Sequence, residues 1–283
     1  MATEAPELEL REVPGPSALG GGTRRAMELL YLIAVTDFKR TYFGTVLGYV
    51  WSVARPLMLF GVLLVVFTKA LHIQSSVPHY PVLLLMNIVL FGFFQEGTTA
   101  ALPSLVSREA IVRKTQFPRI VIPVAAVFTA LFNIGLNLIV TFIFILSFGV
   151  QPRWTWLLMP IVVLLLLILT VAVGMILSSL YPRLRDVSII WTVASTALFY
   201  ATPVLYSLDA IHSHTIARVI ALNPLTPILA LARRWIIDPH APSPASLSGG
   251  TGRLLIPIAT YLVVCVAAAV VFRREAPRIA EAL

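Results

Sequence analysis

The sequence predicts an all-α integral membrane protein: six transmembrane helices, an N-terminal amphipathic interfacial helix and outer re-entrant gate helices. Three observations carry that prediction. The 283 residues are 58% hydrophobic and only 12% charged, where a soluble domain carries roughly 25%. Charge-free apolar runs recur that exceed the ~20 residues a helix needs to cross a bilayer. Arg and Lys gather beside those runs, more on one side than the other.

Residues 1–22 are acidic and rich in Pro and Gly, with Glu4, Glu7, Glu9 and Glu12 ahead of Pro14, Pro16 and Gly20. They lack the basic-then-apolar order of a cleavable signal and read as a disordered acidic tail. Residues 23–283 read as a single transmembrane domain. It begins with 23–40, where Met27, Leu29, Leu30, Ile33 and Val35 alternate with Arg24, Arg25, Glu28, Asp37, Lys39 and Arg40. That pattern predicts a helix lying at the inner surface.

The first span, 44–68, is apolar except for Arg55, and the second, 82–102, except for Glu96 with polar Asn87 and Gln95. A charge inside a span is tolerated where it faces protein, water or the interface. A short inner helix is predicted within 103–119, started by Pro103 and stopped by Phe117-Pro118. The third and fourth spans, 121–148 and 155–180, lie in uncharged runs, as do the fifth, 187–207, and the sixth, 254–272. Between the last two lies the long outer segment 209–250. It holds Asn223-Pro224, Pro227 and a helix-like run 228–237 that Asp238-Pro239 ends. A segment so long and partly apolar is unusual for a mere loop.

With the N-terminus inside, the inner side collects Arg24, Arg25, Lys39, Arg40, Arg108, Arg113, Lys114, Arg119, Arg183, Arg185, Arg273, Arg274 and Arg278. The outer side holds Lys69, Arg153, Arg218, Arg233, Arg234 and Arg253. The bias and the even span count place both termini in the cytoplasm. Trp154 and Trp156 fit an outer interfacial belt.

Composition also excludes functions. The net charge of +8 comes from residues flanking apolar runs, so it reads as positive-inside topology and contact with anionic membrane lipids, not nucleic acid. The three lysines (Lys39, Lys69, Lys114) do not follow glycine, and no G-x-x-x-x-G-K-[ST] occurs. The chain therefore has no phosphate cradle with which to hydrolyse ATP. No H-E-x-x-H occurs, and His212-x-His214 lacks carboxylate or thiolate partners, so no metal is expected. Cys265 is the sole cysteine and forms no internal disulfide. No internal repeat supports an inverted-repeat secondary transporter.

Several short stretches share an order and spacing with a known family. They are Asp37-Phe-Lys-Arg-Thr-Tyr42, Leu47-Gly-Tyr-Val-Trp51 with Arg55-Pro56-Leu57, Ile111-Val-Arg-Lys114 with Phe117-Pro118-Arg119, and Arg183-Leu-Arg-Asp186. Thr202-Pro203-Val204-Leu205-Tyr206, Asn223-Pro224-Leu225 and Phe272-Arg-Arg-Glu275 with Pro277 and Arg278 complete the set. On these the chain, from about Asp37 onward, resembles ABC-2-type permeases of the polysaccharide and polyol-phosphate export group, which includes O-antigen, teichoic-acid and galactan exporters. Arg55 departs from the pattern: many members have a neutral Asn before the proline of the first span.

The resemblance implies a homodimer of six-span subunits paired with two copies of a separate ABC ATPase. That partner would hold the ATP and Mg, leaving this chain without a cofactor. Carried over, the ATPase-docking positions are Arg108, Glu109, Ile111, Arg113, Lys114, Phe117, Pro118 and Arg119. The outer gate would fall in 209–238, with Asn223, Pro224 and Trp235. The implied substrate is a lipid-linked polysaccharide or polyol phosphate. An ABC-2-type permease for a small drug or lipid stays open, as does a membrane-embedded enzyme acting on lipid-linked sugars. Such an enzyme needs paired acids or a metal, and Glu96 and Asp186 stand isolated in sequence.

Candidate substrate-path residues are Trp51, Arg55, Phe91, Phe94, Glu96, Tyr200 and Tyr206. Arg55 lies about one turn past Trp51. It either snorkels to the inner head groups or faces the pore and contacts an anionic phosphate, for which a planar guanidinium suits better than an ammonium. Glu96 is either a proton or substrate contact or an interfacial carboxylate. The aromatics either stack on sugar faces or pack between helices and against lipid.

Overall fold

Prolines punctuate the chain, and in the computed structural model most of them stand where helices begin, turn or end. The structure describes residues 22–42, 48–70, 79–109, 118–208, 211 and 214–282, and its regular elements are all helices. In chain order these are α1 (Gly22–Tyr42), α2 (Val50–Val65), which runs on as a π-helical turn (Val66–Ala70), α3 (Tyr80–Ala101) and α4 (Ser104–Ser107). Next come α5 (Val121–Ser147) and, after a 3-10 turn (Trp154–Leu158), α6 (Met159–Leu180) and α7 (Val187–Ala201). Last are α8 (His214–Ala221), α9 (Leu225–Ala232) with its π-helical extension (Arg233–Ile237), α10 (Pro244–Leu247) and α11 (Thr251–Ala282). Pro81 and Pro160 sit in the first turns of α3 and α6, where the missing N–H has no helical partner to lose.

The bundle is organised around α3, which packs on α5, α6, α2 and α7. Most residues of α3 are buried by protein, whereas α2 and α11 leave most of their surface to the surroundings. The core is built from Leu84, Leu90 and Phe91 of α3, Val127 and Ile134 of α5, and Leu166 and Leu169 of α6. Glycines allow α3 and α6 to close up. A Cβ on Gly97 would stand 2.6 Å from Thr170 Cγ2, and one on Gly174 would stand 2.8 Å from Ala101 Cβ. Small residues at crossings are how helices gain dispersion contact where lipid gives no hydrophobic drive. α11 packs on α6, and α1 lies along α5 with Ala34 buried and Met27, Tyr31 and Leu32 exposed.

Among the described residues, five helices are long and apolar enough to cross a membrane: α2 with its π turn, α3, α5, α6 with its 3-10 turn, and α11, with a sixth if the bent α8–α9 pair counts as one span. The expected fifth span, 187–207, is helical only over Val187–Ala201. Fifteen residues rise about 22 Å, short of the ~30 Å hydrocarbon core. Pro203 is the cause, since a residue before proline is pushed out of the α region; Thr202 sits at φ −101 and ψ 145. The expected run 228–237 falls inside α9 and its extension, and α8 meets α9 at a 94° bend. Pro103 caps α4 as expected, but α4 is one turn long. The acidic tail, apart from Gly22 at the start of α1, lies outside the described residues, as does Gly44.

Candidate functional site

Pro56 sits inside α2 and has no N–H to give, so the carbonyl of Ser52 one turn earlier loses its helical partner. Asn137 of α5 supplies the missing donor: its Nδ2 reaches Ser52 O at 3.2 Å and also Asn133 O at 2.9 Å. Asn133, one turn away on the same face of α5, donates its own Nδ2 to the Glu96 carboxylate on α3. A polar seam thus crosses three helices. It borders a cavity of about 500 Å³ between α2, α3, α5 and α7. Arg55 and Ser52 line it from α2, Gln95, Glu96 and Thr99 from α3, Asn137 from α5, and Thr192 and Ser195 from α7. Arg55 is close enough for its charge to act on Glu96. An in-span arginine and glutamate on neighbouring helices offset each other, which lowers the cost of holding either.

Three of the seven expected path residues line this cavity: Arg55, Phe91 and Glu96. Phe94 is buried behind it, its ring 5.9 Å from Phe91 and 6.2 Å from Trp191. Trp51 and Tyr200 are exposed on the outside of the bundle. Tyr206 lies past the end of α7, where its hydroxyl donates to Tyr200 O at 3.0 Å. Residues the sequence reading did not single out complete the wall, above all Asn137, Ser195 and Phe199, whose ring is 5.2 Å from Phe91. Two asparagines four apart in an uncharged span, opposite a helix that contains Pro56, were the available signal.

A second polar structure lies at the break of α7. Ending the helix at Thr202 frees carbonyls that have no water to bind at membrane depth. Side chains take them up: Asn87 Nδ2 donates to Pro203 O at 3.1 Å and Val204 O at 3.3 Å, and the Tyr80 hydroxyl donates to Leu205 O at 2.7 Å. Asn223 joins the bent α8–α9 pair to the break, its Nδ2 giving to Thr202 Oγ1 at 2.7 Å and its Oδ1 accepting from Leu225 N at 3.0 Å. Pro224 caps α9. Arg233 bonds Ser207. Behind them, Thr155 bonds the Trp235 carbonyl and Trp156 Nε1 donates to Ile236 O at 3.0 Å. Of the residues expected at the gate, Asn223 and Pro224 stand at the bend between α8 and α9, and Trp235 lies in the π-helical extension of α9.

At the other end of the bundle lie Arg108, Arg119, Arg183 and Arg273, and this is termed the basic end. Arg108 turns towards Asp37 of α1 and pairs with it. Arg183 pairs with Glu275 at 3.1 Å, joining the α6–α7 turn to α11. The Arg185 guanidinium lies 5.1 Å from the centre of the Tyr181 ring. Pro118 and Arg119 lead into α5, their carbonyls accepting from Val121 N and Ile122 N. Glu109 follows Arg108 directly; Ile111, Arg113, Lys114 and Phe117 lie outside the described residues. No group of three or more His, Cys, Asp or Glu side chains suited to a metal occurs among the described residues.

The ABC-2 type transporter family profile matches residues 28–236. Two O-antigen export system permease proteins RfbA of Klebsiella pneumoniae are each 30% identical to the chain. One aligns over 203 residues, 71% of this chain and 77% of its own length. The other aligns over 212 residues, 75% and 81%. An O-antigen export system permease protein RfbA of Myxococcus xanthus is 28% identical over 202 residues, 71% of this chain and 77% of its own.

Proposed function

Because the chain belongs to the ABC-2 type transporter family, we propose that it is the membrane permease of an ATP-driven exporter that carries a lipid-linked polysaccharide or polyol phosphate out across the cytoplasmic membrane. The chain is a transport component rather than an enzyme; a separate ABC ATPase supplies the energy. The substrate class rests on the names of the three relatives, each an O-antigen export permease. One structural observation supports the reading above the rest. A polar cavity of about 500 Å³ lies among the spans, beyond the end of α7 lies a hydrogen-bonded break, and a helix pair bent by 94° is tied to that break.

The working unit is a dimer of this chain with two ATPase copies, and both termini lie in the cytoplasm. The polymer's lipid carrier enters at the basic end, and its phosphate meets Arg55 in the cavity. ATP binding on the partner moves α1 and α4, which the Asp37–Arg108 pair links. That motion shifts α3, whose Tyr80 and Asn87 hold the broken end of α7, and so opens the bent pair at the opposite face. Asn223, Pro224 and Trp235 form the gate.

The first test is co-expression with the ATPase encoded beside it, followed by purification through a tag on this chain. The expected result is stoichiometric recovery of the ATPase, lost when Arg113 and Lys114 are both changed to Glu. A stable chain that purifies with no ATPase would sink the exporter reading.

A further inference from the structure

A second cavity, of about 410 Å³, opens at the basic end between α1, α4 and the neighbouring ends of α3 and α5. Its walls are Ala100 and Ala126; its polar rim is Asp37, Arg40, Ser104, Ser107, Arg108 and Thr129. The hydroxyl protons are already committed. Ser104 donates to Ala101 O at 2.6 Å, Ser107 to Ser104 O at 3.1 Å, and Thr129 to Ala125 O at 3.1 Å. Arg108 gives one nitrogen to Asp37, but its Nη1 is buried and has no hydrogen-bond partner among the described residues. A buried guanidinium N–H without an acceptor is costly, and native proteins rarely leave one so. Two arginines face one carboxylate, so the cavity carries an excess positive charge. Its free donors are guanidinium N–H groups, the geometry that grips phosphate oxygens.

We propose that this cavity holds a phosphate group carried by a lipid of the adjoining leaflet, clasped between Arg40 and Arg108 beneath α1. The alanine walls belong to membrane-spanning helices, so the group bound between them has an acyl-linked body to set against apolar surface. Arg40 and Arg108 give guanidinium N–H groups to the phosphate oxygens, and Asp37 occupies the other side of the Arg108 guanidinium. A lipid there would sit as a wedge between α1 and α5. The occupancy of the wedge would set how freely α1 moves against the bundle. Only the side of the membrane is taken from the exporter reading; the binding itself needs neither ATPase nor polymer.

The test is native mass spectrometry of the full chain in detergent, titrated with phosphatidylglycerol, phosphatidylcholine or inorganic phosphate. The expected result is one tightly held phosphatidylglycerol, favoured over the zwitterionic lipid by roughly tenfold. Arg40→Gln leaves the Asp37–Arg108 pair in place, and Arg108→Lys keeps a charge facing Asp37 but removes the fork. Each should weaken retention about tenfold, while Asp37→Asn, which removes the competing anion, should not weaken it. Equal retention of the two lipids, or full retention in both arginine variants, would overturn the proposal. Displacement of the lipid by millimolar inorganic phosphate would assign the cavity to free phosphate and overturn the lipid as its source.

Discussion

Arg55 and Glu96 stand out in the sequence because a charge in an apolar run is rare, and both line the same cavity. What surrounds them was not legible. Asn133 and Asn137 are ordinary polar residues in an uncharged stretch, and only the fold shows that one meets Glu96 and the other a carbonyl freed by Pro56. Aromatic residues were legible as a class but not one by one. Phe91 reaches the cavity, whereas Tyr200 faces away from the bundle, since helical phase, not residue type, decides the side. If Arg55 meets the carrier's phosphate, a lysine there keeps the charge but loses the two-pronged grip. Arg55→Lys should therefore lower polymer export about tenfold, a loss of roughly 1.4 kcal/mol, with unchanged amounts in the membrane by immunoblot. Equal export by variant and wild type would leave Arg55 with a purely interfacial role.

The spans at α5, α6 and α11 were readable as stretches between charges, and those at α2 and α3 as apolar runs holding one charge each, Arg55 and Glu96, because a bilayer filters strongly for apolar length. The break in α7 was not. Residues 187–208 carry no charge before Asp209, so a reading by charge spacing carries straight through Pro203. Thr202-Pro203 was visible as a motif, but its consequence depends on Tyr80 and Asn87, over a hundred residues earlier, being placed to receive the freed carbonyls. Tyr80→Phe is the simplest probe of that arrangement. It removes the donor to Leu205 O and leaves a buried carbonyl unpaired, at a cost of about 1–3 kcal/mol. The expected outcome is a lower unfolding temperature in detergent, together with faster hydrogen exchange in 202–207 than in α5. Unchanged exchange there would mean that the tyrosine does not hold the break.

At the scale of the molecule, the arrangement is a central mast with partners set round it. The packing of α3 on α6 leaves no room for a Cβ at Gly97 or Gly174. Gly174→Leu forces side-chain atoms against Ala101 and should cost about 1–3 kcal/mol by overpacking. It is expected to reduce the yield of folded protein and to lower its unfolding temperature, while the same change at Gly135, where nothing lies within 4 Å, should not. The long apolar spans were legible in the sequence; which span stands at the centre was not, because composition reports how apolar a helix is and not what covers it. Here the two run opposite ways. The most buried helix, α3, is also the least apolar of the five long ones; with protein on nearly every side it has little need of lipid, and it carries Asn87, Gln95 and Glu96. During synthesis, however, α3 leaves the ribosome before α5 and α6 exist. It must then wait at the insertion machinery as a reluctant passenger, and its passage into the bilayer is completed only when later helices arrive to shelter it. Biogenesis of this protein is therefore a group event, in which the order of translation and the order of stable insertion differ.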